Sequence, residues 1–137
     1  MTTASKQTLT LVGMTSALAL SGTLHLVRPR TFDGIVPSIL PGRARTWTLL
    51  SGVAELVTAG ALAVPATRRL GGGLAAALFV AVFPANVEMA RKYVRSSRTS
   101  PVSKAIAVVR LPLQIPLVTT ALAIRRAAGV AGRPENR

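Results

Sequence analysis

Four long stretches of this chain carry almost no charge, and their lengths limit what it can fold into. Residues 7–27 hold no acid, Lys or Arg, and residues 70–87 hold none either. Residues 46–67 hold only Glu55, and residues 105–124 hold only Arg110. A bilayer core of ~30 Å is crossed by roughly 20 helical residues rising ~1.5 Å each. The spacing therefore predicts an all-α integral membrane protein, a four-helix bundle in a single domain. Its spans are expected at about residues 8–27, 46–64, 70–89 and 105–124, followed by a basic tail over 125–137.

Charge placement excludes the main competitor. Lys plus Arg is 17 against 4 Asp plus Glu, a formal charge of +13, which in a soluble protein would point to nucleic acid. Here the basic residues gather in the gaps between apolar windows instead of along helix faces. Aromatic residues make up 4%, too few for a base-stacking platform. The expected partner is the lipid bilayer, not nucleic acid. There is no Cys, which excludes disulfides, thiolate metal sites and thiol redox chemistry. One His and four acids leave no recognisable triad or metal cage. The first window has features of a signal peptide, with Lys6 ahead of it and Ala17-Leu18-Ala19 inside it. Its apolar run continues to Val27 and three more windows follow, so it is read as a retained helix.

Residues 28–45 contain Pro29, Pro37 and Pro41, with Phe32, Ile35, Val36, Ile39 and Leu40 at helical spacing. This predicts a short amphipathic segment between the first and second spans, lying at the interface. Gly71-Gly72-Gly73 opens the third window without the strand or the Lys-Ser/Thr of a phosphate loop. It reads as a small-residue face for close helix packing, and such faces on the first and third spans allow a homodimer. Pro112 and Pro116 are expected to kink the fourth span. The two sides of the membrane carry 7 and 9 basic residues, so the positive-inside rule assigns no orientation.

A charged group at mid-membrane costs ~2.5–3.5 kcal/mol on insertion scales, so each polar residue inside a window needs a reason. His25, Ser51, Glu55, Asn86, Arg110 and Gln114 all fall in the half of the bundle nearer the two long loops. Glu55 and Arg110 have opposite sign and similar depth, which predicts a buried ion pair between them. The six together are the candidate intramembrane polar cluster and ligand site, with no catalytic or metal role assigned. One internal echo accompanies them. Ser21-Gly22 is followed one turn later by His25, and Ser51-Gly52 one turn later by Glu55, on helices expected to run antiparallel.

With these residues noted, the chain resembles the DoxX-like family of small bacterial four-helix membrane proteins. The resemblance rests on Gly22-Thr23-Leu24-His25 leading to Pro29, on Phe32 through Ile35-Val36-Pro37 to Leu40-Pro41, and on Ser51-Gly52-Val53-Ala54-Glu55. It continues in Pro65-Ala66-Thr67-Arg68, in Val82-Phe83-Pro84-Ala85-Asn86-Val87-Glu88-Met89-Ala90, and in Arg110-Leu111-Pro112-Leu113-Gln114. Leu26 stands where the family pattern has an aromatic residue. The resemblance implies a multi-pass protein of the bacterial plasma membrane. It also implies association with membrane oxidoreductases, since the family takes its name from a thiosulfate:quinone oxidoreductase subunit.

The chain itself offers no redox group, so the expectation is a non-catalytic accessory subunit without a cofactor of its own. Such a subunit would dock a membrane oxidoreductase partner or bind a small lipid-soluble ligand such as a quinone in a polar cavity. The alternative is a small proton-coupled transporter using Glu55. A Glu55–Arg110 pair would count against that, because a fixed cation opposes protonation of the carboxylate.

Overall fold

The computed structural model describes residues 2–131, all helices and turns with no strand. The first helix, α1 (Thr3–Val27), starts well before the apolar window, because the Thr2 hydroxyl caps it by accepting from the Ser5 amide at 3.3 Å. The polar lead before residue 8 is thus mostly helical. Arg28 and Pro29 end α1. A single helical turn follows, α2 (Arg30–Asp33). The amphipathic segment expected over 28–45 is helical only there, since Pro37 and Pro41 break the pattern. Ile39, read as part of its apolar face, is 89% exposed.

α3 (Ala44–Ala63) stops at Pro65, and a short 3-10 turn (Pro65–Thr67) leads into α4 (Arg68–Arg95). At 28 residues α4 is far longer than the apolar window alone, and it passes through Pro84. Its extra turns are the basic run Arg91-Lys92-Tyr93-Val94-Arg95, read from sequence as loop. Glu88 pairs with Arg91 at 3.1 Å and Lys92 at 3.4 Å along the helix. Cations also suit the negative end of a helix.

The fourth apolar window forms two helices, not one kinked helix. α5 (Pro101–Val109) is capped by Ser100, which accepts from the Ser103 amide at 3.1 Å. α6 (Gln114–Ala131) follows a break of four residues, and the two axes differ by 44°. The two prolines act differently. Pro112 sits in the break, where it lacks an amide to continue α5. Pro116 lies in the first turn of α6, where an amide would have no helical partner anyway. The expected tail at residues 125–131 is the end of α6, and residues 132–137 lie outside the described residues.

α1 packs on α3, α6 packs on α4, and α3 joins α4, while α1 barely meets α6. The core between them is mostly small: Ala59, Ala75, Ala76 and Ala121, with Met14, Leu18 and Leu62. Many larger aliphatics face outward, including Leu20 at 64%, Val80 at 60% and Ile115 at 70% exposed. Small residues inside and branched residues outside suit packing by close backbone approach in an apolar surrounding. α1, α3 and α4 are each long and apolar enough to cross a membrane, and α5 with α6 makes a fourth if the bent pair is one span.

Candidate functional site: two polar contacts between helix pairs

The α1–α3 crossing is built on the two Ser-Gly segments that echo one another in sequence. A Cβ on Gly22 would stand 2.8 Å from the Gly52 carbonyl oxygen, and one on Gly52 would stand 2.9 Å from the His25 Cβ. Glycine at both positions lets the backbones touch. One turn beyond each glycine, His25 and Glu55 then come face to face across the crossing.

Glu55 is 5% exposed. Its Oε1 accepts from the Ser51 hydroxyl at 3.0 Å. Its Oε2 lies 3.5 Å from His25 Nδ1, close enough for charge attraction but with no hydrogen bond of its own. His25 Nδ1 instead lies 2.8 Å from the Ser21 carbonyl oxygen, a group that can only accept, so Nδ1 carries a proton. Glu55 Oε2 and Thr15 Oγ1 are the buried side-chain atoms without a hydrogen-bond partner among the described residues.

A strap from the 28–43 loop closes over this pair. The Phe32 ring stacks on His25 with centroids 3.9 Å apart and planes at 23°. Beside it, Asp33 Oδ2 accepts from Arg45 Nε at 2.9 Å, and Oδ1 accepts from the buried Thr48 hydroxyl at 2.8 Å. The Arg45 hydrogen bond is the main cause holding the Asp33 carboxyl below the ordinary carboxylate value. Lys92 Nζ donates to the Gly34 carbonyl at 2.6 Å, and Trp47 Nε1 donates to the Pro41 carbonyl at 2.8 Å. These bonds fasten the strap to the start of α3 and the end of α4.

The second polar contact joins α4 to α6 and is neutral. Asn86 Nδ2 donates to Gln114 Oε1 at 3.3 Å, and Gln114 Nε2 donates to the Phe79 carbonyl. Gln114 thus spans two turns of α4 and straddles Pro84. Both Asn86 and Gln114 are buried.

The six residues expected to form one cluster therefore separate. His25, Ser51 and Glu55 meet at α1–α3, and Asn86 and Gln114 meet at α4–α6. Arg110 joins neither: it caps α5, is exposed, and makes no ion pair among the described residues. The expected Glu55–Arg110 pair is corrected to Glu55–His25. The physical reason is the break at residues 110–113, which ends α5 at Arg110 and leaves its long side chain in the open instead of against α3. Sequence reasoning also missed the Asp33–Arg45–Thr48 group. Its signal was a lone acid in a loop otherwise rich in arginine, with Thr48 on the same α3 face as Ser51 and Glu55. No group of three or more metal-ligating side chains occurs among the described residues.

Fold and contacts define an all-helical protein with three or four helices of membrane-crossing length, which points to a membrane protein. The chain belongs to the family described as "Domain of unknown function (DUF8561)", whose pattern matches residues 14–125. That range contains both polar contacts and the strap. The chain matches no curated protein and no solved structure.

Proposed function

We propose that the chain is a DoxX-like, multi-pass protein of the bacterial plasma membrane, a four-span bundle in which α5 and α6 form one bent span. In this reading it is a non-catalytic accessory subunit. Its Glu55–His25 pair receives the polar head of a small lipid-soluble ligand of the quinone class, beside a membrane oxidoreductase partner. One observation carries the reading: a carboxyl oxygen buried between two apolar helices, with no hydrogen bond. A buried polar atom of this kind costs about 1–3 kcal/mol, so an arrangement that keeps it invites a use. A hydroquinone hydroxyl can donate to Oε2, and a protonated carboxyl can donate to a quinone carbonyl. Phe32, stacked on His25, is the ring a flat ligand would slide beside or displace.

The test is titration of a short-chain hydroquinone into the purified protein in detergent. Glu55→Gln removes the acceptor oxygen and keeps the shape, so it should weaken binding by about tenfold. Unchanged affinity in a folded Glu55→Gln variant, or no binding by the native chain, overturns the ligand reading.

A second reading is favoured by a specific finding. The exposed Arg110 does not face Glu55; the group facing it is His25, with Nδ1 3.5 Å from Oε2. That removes the objection to proton-coupled transport through Glu55. Uptake of a cationic dye into proteoliposomes under a pH gradient, abolished by Glu55→Gln, would favour transport over the accessory-subunit reading.

A further inference from the structure

At the end of the molecule away from the strap, α4 and α6 cross as closely as α1 and α3 do. A Cβ on Gly72 would stand 2.7 Å from the Arg125 amide nitrogen and 2.8 Å from the Ala121 carbonyl oxygen. Beyond the crossing the two helices bound an open groove of about 440 Å³, lined by Arg69, Leu122, Arg125, Arg126, Gly129 and Val130.

The arginines are seated in notches on the facing helix. The Arg125 side chain of α6 lies over Gly73 of α4, where a Cβ would stand 2.9 Å from Nη1. Reciprocally, the Arg69 side chain of α4 lies beside Gly129 of α6, its Nε 3.6 Å from the ideal Cβ position. Two guanidinium groups thus reach across the groove in opposite directions, with Arg126 beside them. Arg69, Arg125 and Arg126 make no ion pair or side-chain hydrogen bond among the described residues. The described acids lie elsewhere: Asp33 is in the strap, Glu55 faces His25, and Glu88 pairs with Arg91 and Lys92. Neighbouring Arg68 differs, because it donates to the Leu62 carbonyl at 3.2 Å and closes the end of α3.

Three guanidiniums in one groove, without an ion-pair partner among the described residues, repel each other, and a single multivalent anion relieves that repulsion. Leu122 and the largely exposed Val130 add an apolar side to the same groove. We infer that this groove binds the phosphate of an anionic phospholipid headgroup, with Arg69, Arg125 and Arg126 on the phosphate and Leu122 and Val130 against the upper acyl chain. The site lies at the end of the helices, where a bilayer puts its headgroups, so the inference rests on the membrane-spanning reading.

The experiment is native mass spectrometry of the full-length chain, delipidated in detergent and titrated with phosphatidylglycerol or phosphatidylcholine. Native protein should retain phosphatidylglycerol, and R69Q/R125Q/R126Q should bind it at least about tenfold more weakly. Gly73→Ala keeps every charge but pushes the Arg125 guanidinium out of its notch, so it should weaken binding several-fold. Gly129→Ala meets Arg69 only at ordinary contact distance and should bind as the native chain does. Equal retention of both lipids overturns the proposal, as does Gly73→Ala behaving as native. Competition by inorganic phosphate at the affinity of the lipid also overturns it, since the site would then serve the free ion. If the triple variant fails to fold, Gly73→Ala decides. Alkaline carbonate extraction of cell membranes, run separately, tests the spanning reading alone: a chain released by carbonate would sink that reading whatever the lipid titration shows.

Discussion

The α1–α3 and α4–α6 pairs solve the same packing problem and fill it with different chemistry. Each crosses where glycine removes the side chain, at Gly22 and Gly52 in one pair and at Gly72 in the other. Each then buries polar side chains farther along. In α4–α6 these are two amides, and Gln114 uses both ends, accepting from Asn86 and donating to Phe79. In α1–α3 they are a carboxyl and an imidazole, with Oε2 left without a hydrogen bond. A satisfied neutral bridge is what helix packing alone requires. An ionisable pair left incomplete goes beyond what helix packing requires, and the proposed ligand role rests on that difference.

Four substitutions probe that contrast, in order of expected effect. Gly22→Ala and Gly72→Ala should each cost about 1–3 kcal/mol in denaturant or thermal unfolding, because the new Cβ meets backbone atoms in both cases. If one were silent, the two crossings would not be equivalent. Gln114→Ala should cost about 1 kcal/mol, since it removes two interhelical hydrogen bonds at once. Glu55→Gln should be neutral or slightly stabilising in the same assay, because an amide keeps the shape and cannot place a charge between the helices. A loss on Glu55→Gln equal to that on Gln114→Ala would make the α1–α3 pair structural and erase the distinction.

The smaller effects concern the edges of the two pairs. The Arg45 guanidinium, donating to it, holds the Asp33 carboxyl below the ordinary carboxylate range. A depressed carboxylate stabilises the folded state above its unfolded value and loses that contribution as pH falls through its folded value. The strap should therefore loosen only below about pH 4, read as rising hydrogen exchange at residues 30–36, and Asp33→Asn should loosen it at neutral pH too. Arg110→Ala should change stability by less than about 0.5 kcal/mol, as an exposed residue with no side-chain partner among the described residues. Its double-mutant cycle with Glu55→Gln should show coupling near zero. Coupling above about 1 kcal/mol would restore the pair that the structure separates.

Much of this architecture is legible without coordinates. Charge-poor windows located α1, α3 and α4, and the excess length of α1 and α4 came from Thr2 as a cap and from Glu88 pairing with Arg91 and Lys92. The window around Arg110 misled because hydropathy does not register a break. Leu111-Pro112-Leu113 is as apolar as the helices on either side. Depth along each helix put the polar groups in one half of the bundle, but it matched Glu55 to Arg110 and did not foresee His25 beside Glu55 or Asn86 beside Gln114. Asp33 was missed because its partners lie 12 and 15 residues away, beyond any local pattern.

The amino-acid order by itself determined where the apolar windows lie and how far along each one a polar group sits, since rise per residue is a property of the backbone alone. Which polar groups meet depends on how each helix is rotated and where it crosses its neighbour. Those are set by contacts between distant residues, here Gly22 against Gly52 and Gly72 against Ala121 and Arg125. Only the tertiary structure could therefore give Glu55 to His25 and turn Arg110 away.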